Sequence, residues 1–182
     1  HEVVFVYYDE ENIFVIKELP AYVGEHEYRM LRELEKAGIL SVKPIGFALL
    51  SEKVSNEDER SVVITKYLRA LPFRSLFLRS RLKRYQNKLL DSIAMLMVQL
   101  HIKGFYWGDC SLSNVLFRRD AGELQVFLVD AETTKKYDEL SKGKREHDLM
   151  ILEENITGEL LDISKVIDLP KKLDIYSVGD II

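Results

Sequence analysis

Near residue 70 the hydrophobic pattern of this chain changes period, and that change restricts the fold more than any other feature. Before it, VVFVYY and IFVIKEL are β-branched and aromatic runs on either side of an acidic turn with Asn12, the composition of an antiparallel hairpin. The stretch GEHEYRMLRELEKAGI sets Tyr28, Leu31, Leu34 and Ile39 three to five residues apart, with charges between them and Gly38 as a stop signal. That is an amphipathic helix. SVKPIGFALLS and SVVITKYL return to strand composition around the polar turn EKVSNEDER, so the order is strand, strand, helix, strand, strand.

From about Pro72 the period is helical. The basic segment LFLRSRLKRY comes first, then NKLLDSIAMLMVQLHIKG, whose middle is apolar nearly all round and is therefore expected to be buried. A polar loop around WGDCSLSN leads into VLFRRDAGELQVFLVD, two short strands joined by Asp120, Ala121 and Gly122 and closed by an aspartate. The following AETTKKYDELSKGKREHDLMILEENITGELLDI reads as a loop and a helix. One α+β domain, or two small lobes sharing a cleft, is expected, because 182 residues with 47% hydrophobic content can bury a substantial core without staples.

The rest of the composition narrows the setting. Cys110 is the single cysteine, which excludes an internal disulfide and fits a reducing compartment. No apolar run approaches the roughly 20 residues of a membrane span, and HEVVFVYYDEEN lacks the basic start and apolar stretch of a signal peptide. A cytoplasmic location is expected, with at most peripheral membrane contact. Although the net charge is −4, no acid occurs from Ser61 to Leu90, where Lys66, Arg69, Arg74, Arg79, Arg81, Lys83, Arg84 and Lys88 lie. Such a run is either a wetted face or a surface for an anionic acceptor. Without interleaved aromatics on a recognisable sheet, it gives no reason to expect nucleic acid.

Lys17, Asp109, Asn114 and Asp130 all fall at the ends of predicted elements, where a scaffold holds a side chain firmly and still exposes it. Asp109 and Asn114 stand five apart in one loop, and Asp130 closes the next hairpin. These residue types suit phosphoryl transfer: one carboxylate orients the attacking hydroxyl, hard oxygen ligands hold Mg²⁺ against phosphate oxygens, and a lysine neutralises the phosphates. His101 reads as a structural histidine. With no histidine near it in sequence, Cys110 reads as packing. Glu132 suits either metal binding or solvent.

HIKGFYWGDCSLSNVLF resembles the catalytic loop of the protein-kinase-like superfamily, H-R-D-x-x-x-x-N, with the aspartate-to-asparagine spacing kept. LVDAE stands where that superfamily has D-F-G, FVIKEL resembles its V-A-I-K strand, and EHEYRMLRELEKAGI resembles the helix whose glutamate pairs with that lysine. In detail the chain is most similar to bacterial lipopolysaccharide-kinase-like and RIO-type proteins, above all to an uncharacterised bacterial family carrying WGDCSLSN, FRRDAG, VDAET and GELLD in this order. The resemblance covers nearly the whole chain. It implies a protein-kinase-like two-lobe fold. Residues 1–68 would form an antiparallel-sheet N-lobe with one helix, incomplete in lacking a glycine-rich loop. Residues 69–182 would form a reduced, mainly helical C-lobe with the catalytic loop, the metal-binding hairpin and a shortened C-terminus.

The resemblance also implies an ATP- and Mg²⁺-dependent phosphotransferase acting on a hydroxyl of a sugar, a lipid-linked glycan or another small acceptor. Asp109 would be the catalytic base. Lys17, its partner Glu27, and the hinge residues Lys66, Tyr67 and Leu68 would bind the nucleotide, and Asn114 with Asp130 would hold the metal. The chain departs from the ordinary pattern in having Trp107–Gly108 for His–Arg and Ala131–Glu132 for Phe–Gly. Those departures, with the missing glycine-rich loop, keep open an alternative, a non-catalytic kinase-like module that binds nucleotide or serves as a scaffold.

Overall fold

In a computed structural model, residues 2–7, 12–50, 59–79 and 83–165 are described. The acidic turn before Asn12, most of EKVSNEDER, Arg81 and the tail after Lys165 lie outside them, as do the side chains of Arg79, Lys83 and Arg84. The chain forms two compact units, His1–Arg69 with Asp130–Thr133, and Ala70–Val129 with Thr134–Ile182.

In the first unit, β1 (Glu2–Tyr7), β2 (Ile13–Pro20), β3 (Pro44–Leu49) and β4 (Arg60–Lys66) make an antiparallel sheet in the order β1-β2-β4-β3. Lys17 on β2 stands opposite Val63 of β4 and Val3 of β1. Helix α1 (Ala21–Lys36) covers the sheet with Met30, Leu31 and Leu34, all buried, together with Leu19 and Val63 from the strands. A Cβ at Gly24 would collide with the Ser61 hydroxyl of β4, so only glycine lets the helix approach this closely. Glu27 lies one turn further on the same face and is drawn into the interior with it, 2% exposed.

The second unit begins with a two-residue strand β5 (Leu71–Pro72), then α2 (Phe73–Arg79) and α3 (Lys83–Ile102). Strand β6 (Phe105–Tyr106) precedes the polar loop and its 3₁₀ turn at Leu112–Asn114. The hairpin β7 (Val115–Asp120) and β8 (Glu123–Leu128), strand β9 (Lys135–Lys136) and helix α4 (Lys142–Ser164) follow. β7 joins β5 and β8 in one sheet, and β6 pairs with β9. Ala121 and Gly122 take φ of 46° and 92°, the two left-handed positions of a tight hairpin turn. Phe73, Phe77, Ile93, Met97, Leu100, Phe117 and Leu128 form the core with Leu152 and Ile156 of α4.

One expectation fails here. α3 is not buried all round, because Met95, Val98 and Ile102 are 58%, 50% and 76% exposed, while Ile93, Leu96, Met97 and Leu100 face the core. Residues three, four and seven apart share a helical face, so an apolar sequence still presents one stripe outward where only one side has neighbours. Among the described residues no helix is long and apolar enough to cross a membrane.

Candidate active site

In the first unit the polar side chains gather around one ammonium. Lys17 Nζ lies 3.3 Å from Glu27 Oε1, 2.7 Å from Asp130 Oδ2 and 2.5 Å from Glu132 Oε1. Asp130 is fixed a second time, by its Oδ1 accepting the backbone N–H of Glu132 at 3.0 Å. Burial works against the charged form of Lys17. The charge of Glu27 and the bonds to Asp130 and Glu132 more than offset it, so its pKa stands above the ordinary lysine value. Burial also pushes the Glu27 carboxyl up to about 7, with the charge of Lys17 pulling the other way.

Three carboxylates around one lysine leave the cluster with surplus negative charge. One oxygen each from Glu27, Asp130 and Glu132 fall within 4.8 Å of one another, and Glu27 Oε2 is buried with no hydrogen-bond partner. Hard oxygen donors so grouped suit a divalent cation such as Mg²⁺, and the orphaned oxygen fits the presence of one. Glu132, whose role the sequence left undecided, faces Lys17. The alternation of the AET segment after Asp130 carries no hint of this, since a two-residue offset in a loop sets no face.

The second unit holds Asp109 and Asn114. Asn114 donates its amide to Asp109 Oδ2 at 3.1 Å and to the Asp109 carbonyl at 3.3 Å, so one side chain fixes both ends of the acid. Its Oδ1 remains turned toward the Ser113 hydroxyl at 3.4 Å. The backbone between them is pinned at the 3₁₀ turn, where the Ser111 hydroxyl accepts the N–H of Ser113. Asn114 also receives the Val129 N–H on its carbonyl at 2.9 Å, which ties the loop to the residue preceding Asp130.

Asp148, which the sequence reading passed over, anchors this loop from α4. It is fully buried, and its carboxylate accepts the Trp107 N–H at 2.9 Å, the Gly108 N–H at 2.8 Å and His101 Nε2 at 3.0 Å. Gly108 has φ of 85°, a left-handed conformation that side chains resist, so glycine directly before Asp109 lets the chain turn with its N–H aimed at Asp148. His101 is accordingly structural. Trp107 is fully buried, and Cys110 is a buried thiol whose pKa is raised first by burial and then by Asp148. A signal for Asp148 was present: Asp148, Leu152, Ile156, Leu160 and Ile163 are the buried positions of α4, so the acid occupies a slot on the apolar stripe.

Lys66, Tyr67 and Leu68, the expected hinge, fall at the end of β4 and just after it. The N–H of Lys66 donates to the Lys43 carbonyl and that of Tyr67 to the Ile13 carbonyl, each at 2.9 Å.

The chain is similar to known proteins over most of its length. The model of the lipopolysaccharide kinase (Kdo/WaaP) family matches residues 12–170. Among solved structures, WaaP in complex with acyl carrier protein superposes with a TM-score of 0.66 at 16% identity, covering 99% of this chain and 74% of that one. The yeast RNA polymerase II CTD kinase CTDK-1 complex matches with a TM-score of 0.50 at 18% identity, over 70% of this chain and 41% of that one. No curated protein matches the sequence. The expected kinase-like fold is thus the fold that these structures share.

Proposed function

Since the chain belongs to the lipopolysaccharide kinase (Kdo/WaaP) family, we propose that this kinase transfers the terminal phosphoryl group of ATP, with Mg²⁺, to a hydroxyl of a lipopolysaccharide sugar. The observation that carries the proposal is the single lysine held by three carboxylates, Glu27, Asp130 and Glu132. A scaffold gains nothing from so many acids around one amine, whereas a site for a triphosphate and its counterion needs both.

Lys17 contacts the nucleotide phosphates, with Glu27 bracing it from α1. Asp130 and Asn114 Oδ1 hold the metal, which when bound offsets negative charge on the phosphate oxygens. Asn114 thereby serves twice, since its amide nitrogen fixes Asp109. Asp109 orients the acceptor hydroxyl and takes its proton as the new oxygen–phosphorus bond forms and the bond to the departing diphosphate breaks. Adenine rests against residues 66–68. The N–H groups of Lys66 and Tyr67 are engaged elsewhere, so among the described residues the hinge donor is the N–H of Leu68. Such a reaction draws on the ATP pool of the cytoplasm.

The alternative of a non-catalytic module rested on the missing glycine-rich loop and on the altered loop residues, among them Trp107–Gly108 in place of His–Arg. That replacement carries little weight, because Asp148 holds the loop through the backbone N–H groups of those two residues.

The test is turnover of labelled ATP onto a dephosphorylated lipopolysaccharide acceptor. Removing the base in Asp109→Ala should lower kcat by about 10²–10⁴-fold. Turnover unaffected by that change refutes the assignment. In parallel, ATP with Mg²⁺ at a hundred times its Kd should stabilise the protein by about 2.7 kcal/mol, and Asp130→Ala should remove the part that depends on metal.

A further inference from the structure

The sequence motif GELLD has no part in the chemistry above, yet its first two residues line a cavity. Gly158 and Glu159 on α4, with Glu154 and Asn155 one turn earlier, face Ser111, Leu112 and Ser113 across a space of about 350 Å³. All belong to the second unit. Ser111–Ser113 lie on the short loop between Asp109 and Asn114, so the cavity shares a wall with the stretch that carries the base.

The lining has the chemistry of a polyol site. Carboxylates, an amide and hydroxyls are the groups that hydrogen-bond neighbouring sugar hydroxyls, and Leu112 supplies an apolar patch for a ring face. The volume falls near the lower end of the 300 to 1,000 Å³ usual for ligand sites, which is room for one sugar ring. Gly158 is the second indication. Glycine in the middle of a helix costs about 1 kcal/mol relative to alanine, and an added Cβ there would meet nothing within 4 Å. Packing inside the protein therefore does not demand the glycine, whereas a ligand approaching the helix backbone would.

We propose that this cavity is the acceptor subsite and that it takes a neutral, hydroxyl-rich sugar ring in preference to a sugar acid. The inference rests on the phosphotransferase reading. Arg74 lies 3.7 Å from Glu159 and offsets part of its charge, but Glu154 is exposed, so among the described residues the lining carries surplus negative charge and an anionic acceptor meets like charge. Among the described residues of the basic run 66–88, Arg74 reaches this lining through its pair with Glu159.

Binding is measured apart from turnover. Saturation-transfer NMR on the full chain uses methyl α-mannopyranoside as the neutral probe and glucuronate as the acidic one. Mannoside binding is expected to weaken about ten-fold in Gly158→Leu, an effect of about 1.4 kcal/mol, and less in Gly158→Ala. Thermal stability of both variants should hold or rise, because the helix gains a better former. Glu154→Gln should weaken the mannoside and improve glucuronate. Equal mannoside affinity in wild type and Gly158→Leu, preference for glucuronate, or no mannoside binding by the wild type each overturn the subsite. The phosphotransferase reading fails separately, if ATP with Mg²⁺ neither stabilises the wild type nor turns over while mannoside binding still depends on residue 158.

Discussion

Replacing Asp148 by alanine removes the acceptor of three hydrogen bonds at once, at 2.8, 2.9 and 3.0 Å. The carboxylate is fully buried, so no water takes its place, and the N–H groups of Trp107 and Gly108 are left unpaired. Each stranded donor costs about 1–3 kcal/mol. With the His101 bond also lost, Asp148→Ala should destabilise by about 3–6 kcal/mol, a large share of the 5–15 kcal/mol typical of a folded domain. Asp148→Asn keeps one carbonyl acceptor and turns the other position into a donor facing a donor, so it should cost about half as much. The assay is urea unfolding followed by the emission of Trp107, the single tryptophan, whose backbone N–H makes one of the three bonds. Should the alanine variant prove too unstable to purify, the asparagine variant carries the test. A loss below about 0.5 kcal/mol in either variant refutes the view that Asp148 holds the loop.

Glu27 gives a pH prediction with a definite sign. Its folded pKa of about 7 lies above the usual 4.5, so the native state binds the extra proton, and the associated stability is full below pH 4.5 and lost as pH rises through 7. The difference between wild type and Glu27→Gln should therefore shift by about 3 kcal/mol against wild type from pH 4.5 to 8. A flat difference across that range sinks the argument. Lys17→Met strips the three carboxylates of their shared cation, and breaking such a buried pair costs about 3–5 kcal/mol. The loss should be greatest at pH 8 and smaller at pH 5, where Glu27 accepts a proton; chemical denaturation at the two pH values checks it. At the hairpin, Ala121 adopts φ of 46°, so Ala121→Gly should stabilise by about 0.5–1 kcal/mol, opposite to the usual effect of glycine. A lower melting temperature for that variant counts against the turn geometry.

The order of elements needed only the chain. Runs of branched and aromatic residues, one amphipathic segment and turn residues at 120–122 dictate strand, strand, helix, strand, strand, then helices and a hairpin, because these periods are local properties of the backbone. Asp109, Asn114 and Asp130 stood out as candidates for the same reason, since they flank such elements in a spacing that chemistry can use, whereas Lys17, expected near a strand end, lies within β2 with three paired residues beyond it. What tertiary structure alone decided is partnership. Glu25, Glu33 and Glu35 share a helix with Glu27, yet the close approach permitted by Gly24 buries Glu27 and leaves Glu25, Glu33 and Glu35 outside the core. Likewise α3 hides half of an apolar sequence and exposes the other half, depending on where its neighbours stand. Asp148 reads as one more charge on a charged helix until folding brings it against two backbone N–H groups forty residues away. Periodicity is carried along the chain, whereas burial and hydrogen-bond pairing depend on residues distant in sequence, and only the folded state brings those together.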